Sequence, residues 1–313
     1  MEHLNYSFES GFILLGFTSD SRMEMILFTA FLIIYISIIV GNTFILAVIR
    51  LSPQLQTPMY FFLSNLSFLD ICYSTIIVPK MLEIFLSQKK TISFAGCASQ
   101  MYLSLSLGET ECILLTIMAI DRYVAICNPL RYMTIMNSAV CIRLAVGTWI
   151  SGFLLSVSHV AFTLQLPLCG HNQINHFLCE VPAVLRLACS DVSLISVVVF
   201  VVGIIILMIP IVLILVSYTQ IITSILRIST ASGRYKAFST CASHIIVVTL
   251  FYGTAMYIYM KPISNDSQES DTIVTVAYTV ITPMVNPIIY TLRNKEVKGA
   301  MRKSAQHVFF HTK

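Results

Sequence analysis

The sequence predicts an all-α membrane protein: a bundle of seven transmembrane helices with the amino terminus outside and the carboxyl terminus in the cytoplasm. Three observations predict it. Of the 313 residues, 57% are hydrophobic and 11% charged, with a mean hydropathy of +0.83. Soluble globular chains carry about 25% charged residues, so this chain cannot coat a water-facing surface of its size. Seven stretches reach the roughly 20 apolar residues that a helix needs to cross a hydrocarbon core of about 30 Å. The basic residues also collect on one side of those stretches. Composition thus excludes an ordinary cytosolic enzyme and a disordered chain. The net charge of +4 comes without a long basic run on a polar, aromatic-interleaved surface, so nucleic acid is not an expected partner.

The spans are placed near residues 25–49, 57–79, 94–120, 139–162, 193–226, 237–260 and 272–292. Short polar or Pro-containing connections such as Leu51 to Gln56 separate them, with one long connection from about Gln165 to Asp191. A single domain follows, divided into an extracellular segment 1–24, a helix bundle 25–292 and a cytoplasmic tail 293–313. There is no low-complexity tract and no repeat suggesting the inverted halves of many transporters. Residues 1–21 contain no Lys or Arg, so the basic start of a cleavable signal peptide is missing and the first span is expected to act as the signal anchor.

Orientation follows from the positive-inside rule. Arg22, Lys80, Lys89, Lys90, Arg186 and Lys261 fall on one side, and the other thirteen of the 19 Lys and Arg fall on the opposite side, which is therefore cytoplasmic. Asn5-Tyr6-Ser7 and Asn265-Asp266-Ser267 then fit the glycosylation rule on the outside, whereas Asn65-Leu66-Ser67 lies within a span and is set aside. Asn5 is the expected glycan site. Of nine cysteines, Cys97, Cys169, Cys179 and Cys189 are external, and an oxidising exterior suggests two bridges. Four cysteines permit three pairings. Cys97 with Cys179, which ties the long outer loop to the third span, is preferred, leaving Cys169 with Cys189. His171, His176, Cys179 and Glu180 offer metal-ligand types, but an oxidised Cys179 with solvated histidines is the simpler reading, and no metal is assigned.

Ionisable groups inside a span cost about 2.5–3.5 kcal/mol on insertion scales and each needs an account. Ser104, Gly108, Glu111 and Arg122 share one face of the third span, and Ser104 and Arg122 lie about 27 Å apart along it. One face of one helix therefore links the outer third to the cytoplasmic edge. Glu109 lies on another face, about 200° from Glu111, so the two carboxylates are no catalytic pair. Asp70 and Glu111 can meet midway through the bundle, where they would hold a sodium ion, share a proton or form a plain hydrogen-bonded cluster. Glu109 either faces a cavity and selects a ligand with a donor group, or stays neutral and internally bonded. Pro283 and Pro287 strain the last span, and with Asn286 and Tyr290 they make its inner half able to switch between two arrangements.

A candidate ligand wall can be read from the outer halves of the spans. Tyr252, Ala255 and Tyr259 recur at three- and four-residue spacing on the sixth. Ser104, Leu105, Gly108 and Glu109 on the third, His159 on the fourth, and Val202, Gly203 and Ile206 on the fifth complete it. A mostly apolar cavity with a few hydrogen-bonding groups suits a small lipophilic ligand.

Asp121-Arg122-Tyr123, Trp149, Pro210, Tyr218 and Asn286-Pro287-Ile288-Ile289-Tyr290 resemble the rhodopsin-like G-protein-coupled receptors. The stretches Pro58 to Ser67, Met118 to Cys127, Lys236 to His244, Phe251-Tyr252-Gly253 and Pro283 to Lys295 resemble the olfactory receptor family in particular, and the ordered set covers nearly the whole chain. Ile120 departs from the pattern, since the family usually has Tyr there. The resemblance implies a multi-pass plasma-membrane receptor of olfactory cilia, aided by trafficking accessory proteins and set in membrane lipid. It would bind an odorant from outside and activate a stimulatory, olfactory-type heterotrimeric G protein to raise cyclic AMP. It also implies an activation switch of Asp121, Arg122, Tyr123, Tyr218, His244, Asn286, Pro287 and Tyr290, with Asp121 as the partner of Arg122 and with Tyr252 reporting ligand contact to the sixth helix. Asp70, Glu111 and Asn286 would form the mid-membrane polar cluster.

Other classes read less well. The last span has no Lys for a retinal Schiff base, and Ser104 stands where amine receptors of the class carry Asp. An ion channel or transporter using the intramembrane carboxylates is the alternative. A hydrolase lacks a nucleophile and base within reach, since His159 and His244 differ in depth, so no enzyme is expected.

Overall fold

The computed structural model describes residues 11–17, 20–166, 172–188, 193–260 and 268–293, together with Val297 and Gly299. Asn5, Cys169, Cys189, His171 and Asn265 lie outside the described residues. Among the described residues seven helices are long and apolar enough to cross a membrane. They are α1 (Ser21–Leu51), α2 (Pro58–Leu86), α3 (Phe94–Cys127), α4 (Ser138–Leu164), α5 (Ser193–Leu226), α6 (Ala231–Tyr259) and α7, which runs from Gln268 to Arg293.

Local chemistry fixes where these helices start. The Asp20 carboxylate accepts from the Arg22 N–H, so α1 begins before the predicted Met25. Pro58 opens α2, where its missing N–H costs nothing. The Ser93 hydroxyl accepts from the Gly96 N–H and the Asn137 side chain from the Val140 N–H, which caps α3 and α4.

One boundary difference falls at a proline. The sequence reading ended the second span at Pro79, yet α2 continues through it to Leu86. A helix interior normally rejects proline because a carbonyl loses its donor, but bilayer helices tolerate it where neighbours re-satisfy the backbone. Pro79 frees the Thr75 carbonyl, and one position further on Gln100 of α3 donates to the Ile76 carbonyl at 3.3 Å, which ties this turn of α2 to α3. In α7 the freed carbonyl itself finds a donor. Pro287 frees the Pro283 carbonyl four residues earlier, and Asn42 of α1 donates to it at 3.2 Å. Gly41 lets the two helices approach, since a Cβ there would stand 3.3 Å from the Pro287 ring. Between Ala277 and Ile281 α7 widens into a π turn, which the sequence reading did not anticipate.

Polar side chains stitch the other helices together. Trp149 Nε1 donates to Asn65 Oδ1 at 3.2 Å, which gives Asn65 a structural task inside the bundle. Ser106 and Ser156 share a 2.6 Å hydrogen bond, and Tyr102 donates to the Phe153 carbonyl at 3.1 Å. A Cβ on Gly152 would stand 2.8 Å from the Ser106 carbonyl, so α3 and α4 touch backbone to backbone. Ile120 is 36% exposed on the outside of α3, so its departure from the family's usual residue falls on a surface position and leaves the core untouched.

A small sheet that the sequence reading missed covers the amino-terminal end of the bundle. Its order is β2-β1-β3, with β1 (Phe12–Leu14) antiparallel to β2 (Thr91–Ile92) and parallel to β3 (Gln173–Ile174). Strands this short are marginal alone. Packing holds them: Phe17 stacks on Phe177 at 4.8 Å and on Phe31 and Phe85 at 5.7 Å, joining the sheet's flank to α1, α2 and the long connection. Gly11 has φ of +69°, and a side chain there would run into the Ile92 carbonyl.

Candidate functional site: an outer cavity above a buried arginine

Cys97 and Cys179 form a disulfide, as preferred from sequence. It draws the long connection over α3, and Gln100 Oε1 accepts from the Cys179 N–H at 3.1 Å. Cys72, Cys112, Cys127, Cys141 and Cys241 are free thiols.

Beneath that connection lies a cavity of about 90 Å³. An engineered cavity of about 150 Å³ takes benzene, so a ligand here must be compact or must displace a wall. Of the residues predicted from sequence, Ser104, Leu105, Gly108, Glu109, His159, Gly203, Ile206, Ala255 and Tyr259 line it. Two do not. Val202 lies half-buried one position from Gly203, off the lining face. Tyr252 is buried below the cavity, its hydroxyl donating to the Cys112 carbonyl at 2.9 Å, so it touches α3 and not the cavity space.

The structure adds Tyr73, Cys112, Leu178, Glu180, Val181, Leu207, Phe251 and Tyr278. The signal for three of these was present in the sequence. Cys179, once tied to α3, forces Leu178, Glu180 and Val181 over the opening. Tyr278 sits in the π turn of α7, which has no composition signature.

Around the cavity the polar groups are partly paired. Glu180 Oε2 accepts from the Tyr278 hydroxyl at 2.9 Å, and Glu180 Oε1 lies 3.5 Å from His176 Nε2. The histidine was expected to be solvated, but it is 1% exposed and stacked on Phe177. Its Nδ1 accepts from the Leu178 N–H, which leaves the proton on Nε2, facing Glu180. Burial holds His176 below the ordinary histidine range, so it is neutral at pH 7. Cys179 is oxidised, so its thiolate is not available to a metal, and His171 lies outside the described residues. Among the described residues no group of three or more His, Cys, Asp and Glu could hold a metal ion.

Glu109 and His159 face each other across the cavity wall, 3.4 Å apart. Ser104 donates to the Met101 carbonyl at 3.2 Å.

Midway through the bundle, Asn286 Nδ2 donates to both carboxylate oxygens of Asp70, at 3.1 and 3.2 Å. Glu111 Oε1 is buried nearby without a hydrogen-bond partner. Tyr123 is half-buried at the inner end of α3.

Arg122 is 4% exposed at that end. Its expected partner is not there. Asp121 accepts instead from the Tyr132 hydroxyl at 2.9 Å, while Arg122 Nη1 donates to the Met118 carbonyl at 3.0 Å. Consecutive helical residues point about 100° apart, so Asp121 turns to the Tyr132–Ile135 turn and Arg122 to the bundle axis. Tyr218, His244, Cys241 and Tyr290 stand within electrostatic reach of Arg122. Tyr218 and His244 share a 2.7 Å hydrogen bond, whereas Arg122 Nε, His244 Nε2 and the Tyr290 hydroxyl are buried without partners.

A cavity at one end of seven membrane helices, joined by α3 to a buried arginine at the other, has the form of a seven-helix membrane receptor. The family described as "Olfactory receptor" matches residues 31–307. Human Olfactory receptor 2G3 is 50% identical over 292 residues, 93% of this chain and 94% of that protein. Human Olfactory receptor 2K2 is 50% identical over 311 residues, covering 99% of this chain and 98% of the other. Olfactory receptor 2B6 of Mus musculus is 50% identical over 309 residues, 99% of each. The chain belongs to the olfactory receptor family and is an odorant-sensing, multi-pass plasma-membrane protein of the G-protein-coupled class. These relatives are receptors by name, not enzymes, and the channel or transporter alternative finds no support among them.

Proposed function

We propose that the receptor binds a small, mostly apolar odorant in the outer cavity and activates a stimulatory, olfactory-type heterotrimeric G protein, raising cyclic AMP. The observation that carries this reading is the Tyr252 hydrogen bond to the Cys112 carbonyl. Cys112 lines the cavity and so does Phe251, next to Tyr252, which makes this bond the joint between ligand space and α6. Ligand can bias a two-state equilibrium only through its differential affinity for the states. A group that shifts at this joint moves α6, whose inner half carries His244 to Tyr218 beside Arg122. The unpartnered Arg122 Nε, His244 Nε2 and Tyr290 hydroxyl support a second arrangement in which they are satisfied.

The test is guanine-nucleotide exchange on the purified G protein, with receptor in lipid and a broad odorant panel. Tyr252→Phe, expressed at the wild-type surface level, is expected to shift potency or maximal exchange by about tenfold, the worth of one buried hydrogen bond of roughly 1.4 kcal/mol. An unchanged dose response removes Tyr252 from the path.

The same proposal places a sodium ion between Asp70 and Glu111. The all-oxygen donor set and the unpartnered Glu111 Oε1 support it. Replacing sodium by choline is expected to lower the melting temperature of the wild-type receptor and not that of Asp70→Asn. Equal melting in both salts would remove the ion.

A further inference from the structure

Among the described residues the cavity lining contains two carboxylates, Glu109 and Glu180, and no Lys or Arg. The two are in different states. Glu180 Oε2 accepts from the Tyr278 hydroxyl at 2.9 Å, while its Oε1 lies 3.5 Å from His176 Nε2, beyond a good hydrogen bond. Glu109 has only His159 Nδ1 at 3.4 Å from Oε1, longer than a good hydrogen bond. Among the described residues its Oε2 has no hydrogen-bond partner, although Glu109 is 4% exposed. A buried carboxylate oxygen without a donor is costly, and a ligand that donates to it relieves that cost.

The remaining wall decides what else the ligand carries. Leu105, Ile206, Leu207, Phe251, Ala255 and Val181 are apolar and accept no polar group. The Ser104 hydroxyl already donates to the Met101 carbonyl, so it competes little for a head group. Like charges drawn into one low-dielectric space repel, so an anionic ligand meets Glu109 and Glu180 unfavourably.

We propose that the cavity selects a compact ligand with a primary amine head group on an apolar body, the ammonium donating to Glu109 Oε2. The inference rests on the cavity being the ligand site and deepens that reading by naming the ligand class. Chemically matched alcohols donate one hydrogen bond without charge and rank second. Matched carboxylic acids rank last.

The experiment measures direct binding of pentylamine, 1-pentanol and pentanoic acid to the full-length receptor in lipid nanodiscs. Pentylamine is expected to bind at least tenfold tighter than pentanoic acid. Glu109→Gln keeps the shape and removes the charge; it is expected to cut pentylamine affinity at least tenfold and to leave 1-pentanol within about threefold. Glu109→Asp withdraws the carboxylate by one methylene and retains the charge, so it is expected to fall between the two. It also serves if the Gln variant does not fold. Equal binding of amine and acid, no amine binding, or an amine preference that survives Glu109→Gln overturns the inference.

Nucleotide exchange separates the two readings. Preferential amine binding without exchange leaves the ligand class standing and removes the signalling role. Exchange driven by other odorants, with no amine binding, does the reverse.

Discussion

Cys97→Ser is expected to remove the receptor from the cell surface and to abolish odorant responses, with the same outcome for Cys179→Ser and no further loss in the double variant. The bridge joins residues 82 apart in sequence. In the chain-entropy account a loop of that length is worth about 4.5 kcal/mol at 25 °C, a large part of the 5–15 kcal/mol that separates folded from unfolded states in ordinary domains. The bridge also has a local task. Leu178, Glu180 and Val181 flank Cys179 and form part of the cavity wall, so its loss frees the elements that close the ligand space. Surface immunostaining and the melting temperature of solubilised receptor provide the measurement, with Cys72→Ser as a control, since Cys72 is a half-buried free thiol. Wild-type surface levels and melting in Cys97→Ser would show that packing of the sheet and the Phe17 stack alone hold the connection down.

The helices were legible because the bilayer makes a strong demand that composition answers directly. Backbone polar groups must be satisfied within each span, so uninterrupted apolar stretches gave seven helices at nearly the right places. One boundary failed where a helix-breaking residue was carried inside the bundle. Pro79 reads as a stop, yet α2 runs on through it, and the Gln100 donation to Ile76 that ties this turn to α3 is found only in three dimensions. Helical spacing placed Ser104, Leu105, Gly108 and Glu109 on the cavity because period alone decides a helix face. Spacing could not place Tyr252, because whether a residue lines a cavity or caps a neighbour's carbonyl depends on the depth at which α6 meets α3. The Asp121 ion pair failed for a similar reason. Proximity in sequence suggested Arg122, whereas the hydroxyl of Tyr132, eleven residues away on a short turn, was the partner. The sheet over the outer end was missed because two- and three-residue strands carry no periodicity.

Asn286→Leu is expected to destabilise the receptor more than the double variant Asp70→Leu/Asn286→Leu does. Asp70 is fully buried, and Asn286 Nδ2 is its side-chain donor, reaching both carboxylate oxygens across the gap between α2 and α7. Removing that donor leaves a carboxylate inside the bundle with its desolvation uncompensated, a loss on the order of 2–3 kcal/mol for a hydrogen bond to a charged group. Replacing both partners by apolar side chains of similar size removes the demand together with its supply, and such double replacements are often nearly neutral. The pair therefore couples with opposite sign to two independent defects, by about 0.5–3 kcal/mol in a double-mutant cycle. Glu111 sharpens the contrast, because its unpartnered Oε1 lies in the same polar cluster and repels an Asp70 carboxylate that has lost its donor. Thermal unfolding of the three variants and wild type, in one lipid and one salt, measures the cycle. Additive losses, with the double variant the least stable of all, would mean that Asp70 and Asn286 act separately and that α2 and α7 are held together by their apolar contacts alone.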